Sequence, residues 1–479
     1  MGASLVWLRR DLRLADQPAL HAAAERGQPV IPVYIHAPEE EAPWQPGSAS
    51  NWWLHHSLEH LASALATRGS RLTLRQGPSL DSLRQLVEET GADAVFWNRL
   101  YEPAVIRRDR DIKQALRAEG RVVASFNAAL LNEPWCVRSA TGDPYKVFSP
   151  FWKACKRIGI DAPVLPQPAD LMTPASWPES ETLASFHLLP RIPWNEGLAR
   201  SWSPGETGAL QRLEAFLDDP VTRYGEMREI PAEPGTSRLS PHLHFGEISP
   251  RQIVRALHES GHDPESGGAE HFVREVGWRE FAHHLLFHFP HTCEEPLNPK
   301  FADFPWRESA DDLRAWQQGR SGIPIVDAAM RELWQTGWMH NRSRMIVASL
   351  LTKNLRMHWL HGARWFWDTL VDADLASNTL GWQWAAGSGA DAAPYFRIFN
   401  PVLQGRRFDP EGRYVRRYVP ELERVPDSGI HAPWGHGGKP VDRRLRPDYP
   451  DPVVDLQQSR QAALDAFGEL RSPAGPERD

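Results

Sequence analysis

Up to about residue 130, short β-rich runs alternate with stretches of helical spacing, and that alternation restricts the fold more than any other feature of the chain. Residues 4–8, 30–35, 71–74, 94–97 and 122–126 read as strands, dense in β-branched and aromatic side chains. Residues 16–26, 48–68, 80–90 and 104–119 between them carry apolar positions three and four apart. A helix between consecutive strands returns the chain to the same edge, so the strands pair in parallel. The expected fold is therefore an α/β domain with a doubly wound, mainly parallel five-stranded sheet. No Gly-x-Gly-x-x-Gly loop follows the first strand, so the usual dinucleotide fingerprint is missing.

From about 161 to 205 the rhythm is broken by Pro163, Pro166, Pro168, Pro174, Pro178, Pro190, Pro193 and Pro204, which reads as a connector laid over a surface. Beyond it, helical spacing recurs over 208–217, 250–259, 270–288, 311–318, 324–336, 341–359 and 365–370, with almost no strand signal and no internal repeat. We expect an α/β domain over 1–134, a connector over 135–204, an all-α domain over 205–470 and a frayed tail over 471–479.

Composition closes off several classes. With 41% hydrophobic and 24% charged residues over 479 positions, the chain is globular and long enough for several domains. Cys136, Cys155 and Cys293 are too few and too scattered for a disulfide framework or a four-thiolate metal site. The N-terminus meets charge too soon for a signal peptide, and no stretch has the length of a membrane span, so a cytoplasmic protein is expected. A net charge of −7 argues only weakly against nucleic acid, because local fields decide where a polyanion docks.

The chain holds 21 Trp against 8 Tyr. Both rings fill space, but indole is the one oxidised readily while neutral, so the excess suggests electron transfer beside ordinary core packing. Gly235-Thr236-Ser237-Arg238-Leu239-Ser240-Pro241 puts hydroxyls and backbone N–H groups ahead of a helical segment, as a phosphate site does and as a plain helix cap does. Helical spacing places Phe272, Glu275 and Arg279 on one face beside Trp278, either a surface ion pair over a core indole or the lining of a cavity that stacks a base. Asn341 and Met345 share a face next to Arg344. Asp372, Asp374 and Asn378 could pair with Arg344 or contact a polar ring edge. Arg397, Arg406, Arg407, Arg413, Arg416 and Arg417 lie among Asp409 and Glu411, a solvated face or a set of phosphate contacts with steep salt dependence.

Several stretches together resemble the photolyase/cryptochrome family. They are Tyr145-Lys146-Val147-Phe148-Ser149-Pro150-Phe151, Gly235 to Pro241, Trp278-Arg279-Glu280-Phe281, Gly337 to Arg344, Gly381-Trp382-Gln383-Trp384-Ala385 and Ala392 to Pro401. The likeness runs from Trp7-Leu8-Arg9-Arg10-Asp11-Leu12-Arg13 over nearly the whole chain.

The resemblance implies an α/β antenna domain, a connector and a helical domain that binds FAD in a folded conformation. Tyr224, Thr236, Ser237, Arg238, Leu239, Ser240 and Phe272 would cradle it, with Arg344, Asp372, Ala373, Asp374 and Asn378 along the flavin side. Phe272 stands where some members carry Trp. Asn378 would sit near flavin N5, where repair members have an amide and sensors usually have Asp or Cys. Glu275, Trp278, Asn341, Met345 and Trp384 match the pocket of enzymes that repair cyclobutane pyrimidine dimers; those acting on pyrimidine-pyrimidone adducts need a histidine in place of Met345.

The implied reaction is light-driven repair by electron transfer from excited reduced FAD to a dimer flipped out of UV-damaged DNA, at a cost of a few kcal/mol. Trp278 and Trp384 would wall the dimer. Asn341 and Glu275 would bond its edges, Glu275 acting as a donor if desolvation raises its pKa. Arg228, Arg279, Arg342, Arg397 and Gln404 would hold the strand, and Trp382, Trp359 and Trp306 would conduct electrons to the flavin. The family also implies a second chromophore, methenyltetrahydrofolate in preference to a deazaflavin. Trp44, Asn51, Trp52, Trp53, His55 and His56 have suitable chemistry, although an amphipathic helix looks the same. No metal is expected, no membrane partner, and a monomer. A cryptochrome-type sensor that signals through a protein partner is the alternative reading, and a flavoprotein oxidoreductase the third, disfavoured by the lack of a nicotinamide-binding loop.

Overall fold

The computed structural model describes residues 2–161, 163–392, 396–435 and 439–471. Five strands form the sheet: β1 (Ser4–Leu8), β2 (Val30–His36), β3 (Thr73–Gln76), β4 (Ala94–Asn98) and β5 (Val122–Phe126). Their order is β3-β2-β1-β4-β5, with every neighbouring pair parallel, which is the doubly wound arrangement that the alternation predicts. Leu5, Trp7, Ile31, Val33, Val95 and Trp97 of the central strands are buried with Leu83, Leu86 and Leu116 of the flanking helices. Strands covered on both faces read as near-continuous apolar runs, as β1, β2 and β4 do. The third strand begins two residues later than predicted, because its register pairs Thr73 with Val33.

Local signals set the helix ends. Gln17 Oε1 accepts from the N–H groups of Ala19 and Leu20, and Pro18 opens the helix Pro18–Glu25. Gly91, at φ +62°, closes Ser79–Thr90 in the left-handed region, where a side chain is strained.

One expectation is corrected, and one helix is added to the reading. Residues 341–359 are not one helix. Asn341–Ser349 runs into a π turn over Leu350–Asn354, then the chain breaks, and Trp359–Thr369 starts afresh. Arg356 takes a left-handed φ of +52°, Leu355 N–H reaches the Leu350 carbonyl, and His358 Nδ1 caps the next helix by accepting from Leu360 N–H. Apolar spacing continues across the break because Leu355, Met357 and Trp359 are all buried, so periodicity alone cannot locate it. Within the predicted connector lies a helix, Phe148–Ile158, whose Phe148, Phe151, Trp152 and Cys155 are buried. Among the described residues no strand follows Phe126.

The chain divides into two compact units. The first comprises Met1–Thr222, Ser237–Pro290 and Val371–Leu375, and the second Arg223–Thr236, His291–Leu370 and Ala376–Asp479. Ala393, Pro394 and Tyr395 of the Ala392 to Pro401 motif, and residues 472–479 of the predicted tail, lie outside the described residues.

Candidate functional site

In the first unit, the helix Gly267–His288 carries Phe272, Glu275, Trp278 and Arg279. Gly277 makes the packing possible: a Cβ there would meet the Trp152 ring at 2.7 Å. With the helix so close, Trp278 stacks on Phe148, centroids 3.8 Å apart and planes 8° from parallel. The indole is thereby held on a rigid aromatic base, half-exposed, with half-buried Glu275 one turn earlier. Phe272 is buried against Phe216 at 4.5 Å. Arg279 turns inward and donates from Nη1 to the Ala129 carbonyl at 2.7 Å.

The segment Val371–Leu375 brings two of the predicted carboxylates into this unit. Asp372 accepts a 2.6 Å hydrogen bond from the Ser240 hydroxyl, which joins the Gly235 to Pro241 motif to the Asp-Ala-Asp motif as one polar constellation. Ala373 between them is buried. Burial by itself would raise the Asp374 carboxyl; His283, a hydrogen bond from His244, and Arg279 outweigh it and hold Asp374 well below the usual carboxylate range. Its Oδ2 lies 3.5 Å from His283 Nε2 and 3.8 Å from His244 Nδ1. Ser237 and Leu239 form a tight turn through Ser237 Oγ, and Arg238 sits in the left-handed region at φ +52° with its guanidinium 4.6 Å over Trp202.

In the second unit, Tyr224 is buried, with the Arg228 guanidinium 5.4 Å over its ring. Gly235 approaches Met227 so closely that a Cβ would meet Met227 Cβ at 2.5 Å, which fixes the turn leading into half-buried Thr236. His340 caps the helix Asn341–Ser349 by accepting from Arg342 N–H at 3.2 Å, presenting exposed Asn341 and half-buried Met345 a turn apart. Arg342 packs 4.4 Å over Phe408, reaches Met345 Sδ at 3.9 Å and pairs with Glu229. Its guanidinium is lowered from its ordinary value, first by burial and then by Arg407, Arg228 and Arg397. Four of the predicted strand-binding or neighbouring arginines thus share one local field. Gly405 lets the helix Pro401–Phe408 lie against His431, where a Cβ would meet Nδ1 at 2.3 Å; Gln404 is half-buried and Arg406 and Arg407 exposed on that helix.

Arg344 donates from Nε to the Met339 carbonyl, and Asn378 donates from Nδ2 to the Ala363 carbonyl at 3.0 Å. The donor pins the amide, so its oxygen is the face left to accept. Trp382 is buried in the helix Leu375–Ala386, and its ring fills the notch at Gly362, where a Cβ would lie 2.0 Å from the indole. Gly362 is one turn from buried Trp359. Half-buried Trp306 lies 5.2 Å from His358, whose ring stacks 5.7 Å from Trp359. Trp382 and Trp359 are thus both buried, and Trp306 is the most exposed of the three. Trp384 is half-buried, with Arg397 5.7 Å over its ring.

Two residues escaped sequence reasoning. Gln383 accepts from Leu297 N–H and donates to the carbonyls of Thr292 and Glu295, so it locks the helix that carries Trp382 and Trp384. His358 lies between two of the proposed conducting indoles. An amide flanked by two tryptophans was the signal for the first; the cap position before Trp359 was the signal for the second.

The donor types fit parts of FAD unit by unit. In the first, hydroxyls and a guanidinium at 237–240 suit a pyrophosphate, and carboxylates at 372 and 374 suit ribityl hydroxyls and N–H groups; in the second, a pinned amide at 378 suits a ring nitrogen.

Comparison with known proteins agrees with that chemistry. Residues 4–169 match the family described as DNA photolyase, and residues 272–469 the FAD binding domain of DNA photolyase. The chain is 48% identical over 473 residues to the deoxyribodipyrimidine photo-lyase of Agrobacterium fabrum, covering 98% of each. It is 40% identical to Cryptochrome-1 of Arabidopsis thaliana, covering 98% of this chain and 70% of that protein. A crystal structure of a bacterial class III photolyase from Agrobacterium tumefaciens matches with a TM-score of 0.92, at 47% identity and over 98% of both chains.

Proposed function

The chain belongs to the photolyase/cryptochrome family, and we propose on that premise that it repairs cyclobutane pyrimidine dimers in UV-damaged DNA, driven by light. The observation that carries this reading is the full-length match at 48% identity to a deoxyribodipyrimidine photo-lyase. FAD, when bound and reduced, supplies one electron to the dimer under light and takes it back once the ring bonds have opened, so no net redox occurs.

The chain's own residues do the rest. The residues proposed to hold the cofactor are Tyr224, Thr236, Ser237, Arg238, Leu239, Ser240, Phe272, Arg344, Asp372, Ala373, Asp374 and Asn378. The Asn378 carbonyl oxygen, left to accept, would take a hydrogen bond from a ring N–H and so would favour a reduced flavin. Trp278, stiffened by Phe148, and Trp384, fixed through Gln383, present flat apolar walls that replace base stacking for a flipped dimer. Asn341 and Glu275 bond the pyrimidine edges, Met345 excludes water, and Arg228, Arg342, Arg397 and Gln404 contact the strand. Arg279, tied to Ala129, steadies Asp374 and completes the strand contacts. Trp306, Trp359 and Trp382 would conduct electrons towards the bound cofactor.

For the second chromophore we favour methenyltetrahydrofolate over a deazaflavin. Asn51 Oδ1, Trp52 Nε1 and His55 Nδ1 on the helix Ser48–Ala66 are buried without a hydrogen-bond partner among the described residues. Each such atom costs roughly 1–3 kcal/mol, which a ring edge offering donors and acceptors would offset. By function the chain divides into an antenna domain over 1–134, a connector over 135–204, a catalytic domain over 205–470 and a tail over 471–479, acting as a cytoplasmic monomer. Among the described residues no helix is long and apolar enough to cross a membrane.

The test is an absorption spectrum of the purified protein, then illumination with dimer-containing DNA. Flavin bands with light-dependent loss of dimers are expected. Bound flavin with no repair would instead favour a cryptochrome-type sensor.

A further inference from the structure

Trp202 is buried, and two cations pack on its ring: Arg212 and Arg238 each place the guanidinium carbon 4.6 Å from the ring centroid. A guanidinium stacks well on an indole, but two of them share that one ring. Arg212 donates from Nη2 to the Ser201 carbonyl at 2.9 Å, and its ordinary value is lowered to about 10, by burial first and then by Arg238. Among the described residues the charge that acts on it is Arg238, another cation. A half-buried cation kept beside a like charge is costly unless something anionic settles nearby. The second of these residues, Arg238, stands in a strained left-handed conformation inside the Ser237 to Ser240 turn. Trp53 fixes the indole from its edge, at 5.4 Å and 66°.

We infer that Arg212 and Trp202 are positioning residues for the anionic part of the cofactor: the indole carries Arg238 at the orientation a pyrophosphate needs, and Arg212 adds a second positive charge behind it. The site selects a flavin bearing phosphates over the same ring without them. This rests on the FAD reading of residues 237–240. Strain at Arg238 is held by the stack on Trp202, and the stack is made cation-rich at a place where the bound ligand carries two negative charges.

The experiment compares wild type with Arg212→Met, which keeps the apolar stem and drops the charge, with Arg212→Lys as the conservative variant, and with Trp202→Phe. Apoprotein is titrated with FAD and with riboflavin at two salt concentrations, and the thermal midpoint of each apoprotein is recorded. Arg212→Met is expected to weaken FAD about tenfold, leave riboflavin affinity unchanged, and flatten the salt dependence of FAD binding; a tenfold change corresponds to about 1.4 kcal/mol. Arg212→Lys recovers the salt dependence. Because Arg212 is half-buried at one end of the stack, its Met variant folds even where Trp202→Phe does not. Equal loss of FAD and riboflavin, or FAD affinity identical to wild type, overturns the inference while leaving the FAD reading in place. Failure of wild type itself to bind FAD overturns the cofactor reading instead.

Discussion

Asn378 Nδ2 donates a 3.0 Å hydrogen bond to the Ala363 carbonyl oxygen, so the orientation of this amide is set by the backbone of the helix Trp359–Thr369. An aspartate in its place would face that carbonyl with a second acceptor. Asn378→Asp therefore has to turn away or take up a proton, at a cost of roughly 1–3 kcal/mol in the local arrangement. The expected outcome is retention of FAD with faster loss of the fully reduced form in air, read from the absorption spectrum. A reduced form as long-lived as in wild type would remove Asn378 from its proposed role.

Trp382 fits a notch that exists because residue 362 has no side chain. Trp382→Phe removes the indole and leaves part of that notch empty, costing on the order of 1–2 kcal/mol of stability. Photoreduction of oxidised flavin should be lost, whereas chemically reduced enzyme should still repair dimers. Undiminished photoreduction would show that electrons enter by another route.

Much of this was legible in the sequence, and the parts that were not have identifiable causes. The strands β1 and β5 fall where β-branched and aromatic runs predict them; β1 is buried on both faces, and the partly exposed edge strand β5 keeps the same residue types. The break between Asn354 and Trp359 was hidden, since a left-handed Arg356 has no composition signal and its neighbours stay apolar. The helix Phe148–Ile158 was missed because its aromatic residues serve as a platform for Trp278, which shows only in three dimensions. Likewise the Ser240 to Asp372 bond joins residues 132 positions apart, a pairing that helical spacing cannot supply.

Glu275 stands half-buried one turn before Trp278 on a helix fixed by the Gly277 to Trp152 contact. Glu275→Ala leaves that packing intact, so FAD content should not change. Losing a group placed against developing charge should lower repair per absorbed photon by about tenfold or more. Repair equal to wild type, at saturating DNA, would refute the assignment.

Glu229 pairs with Arg342 and lies 3.8 Å from Arg228, so it offsets part of the positive field that the arginines build. Glu229→Gln should tighten binding of dimer-containing DNA a few-fold at low salt, because the pair is only partly shielded from water. Arg342→Gln should instead weaken binding and reduce the slope of log affinity against log salt by about one. The pair of titrations separates a strand contact from a structural ion pair: an unchanged slope in Arg342→Gln would mean that this guanidinium serves Phe408 and Glu229 alone.

Glu280 is the next residue after Arg279 and is fully enclosed, its Oε2 accepting from Asn132 N–H at 3.0 Å while Oε1, 3.9 Å from Arg279 Nη1, has no hydrogen-bond partner among the described residues. Burial pushes its carboxyl up from 4.5 to about 7, against the lowering pull of Arg279 and the Asn132 and Leu131 N–H groups. A folded-state value above the unfolded one means that the fold favours the protonated acid. The stabilisation is complete below about pH 4.5 and is lost as pH rises to about 7, above which the ionised group is a constant penalty. Glu280→Gln keeps the acceptor for Asn132 and cannot ionise. It should therefore match wild type near pH 4.5 and exceed it by on the order of 3 kcal/mol at pH 8. Urea unfolding at the two pH values checks this. A stability difference independent of pH would show that Glu280 stays ionised in the fold and that its enclosure is matched by Arg279 after all.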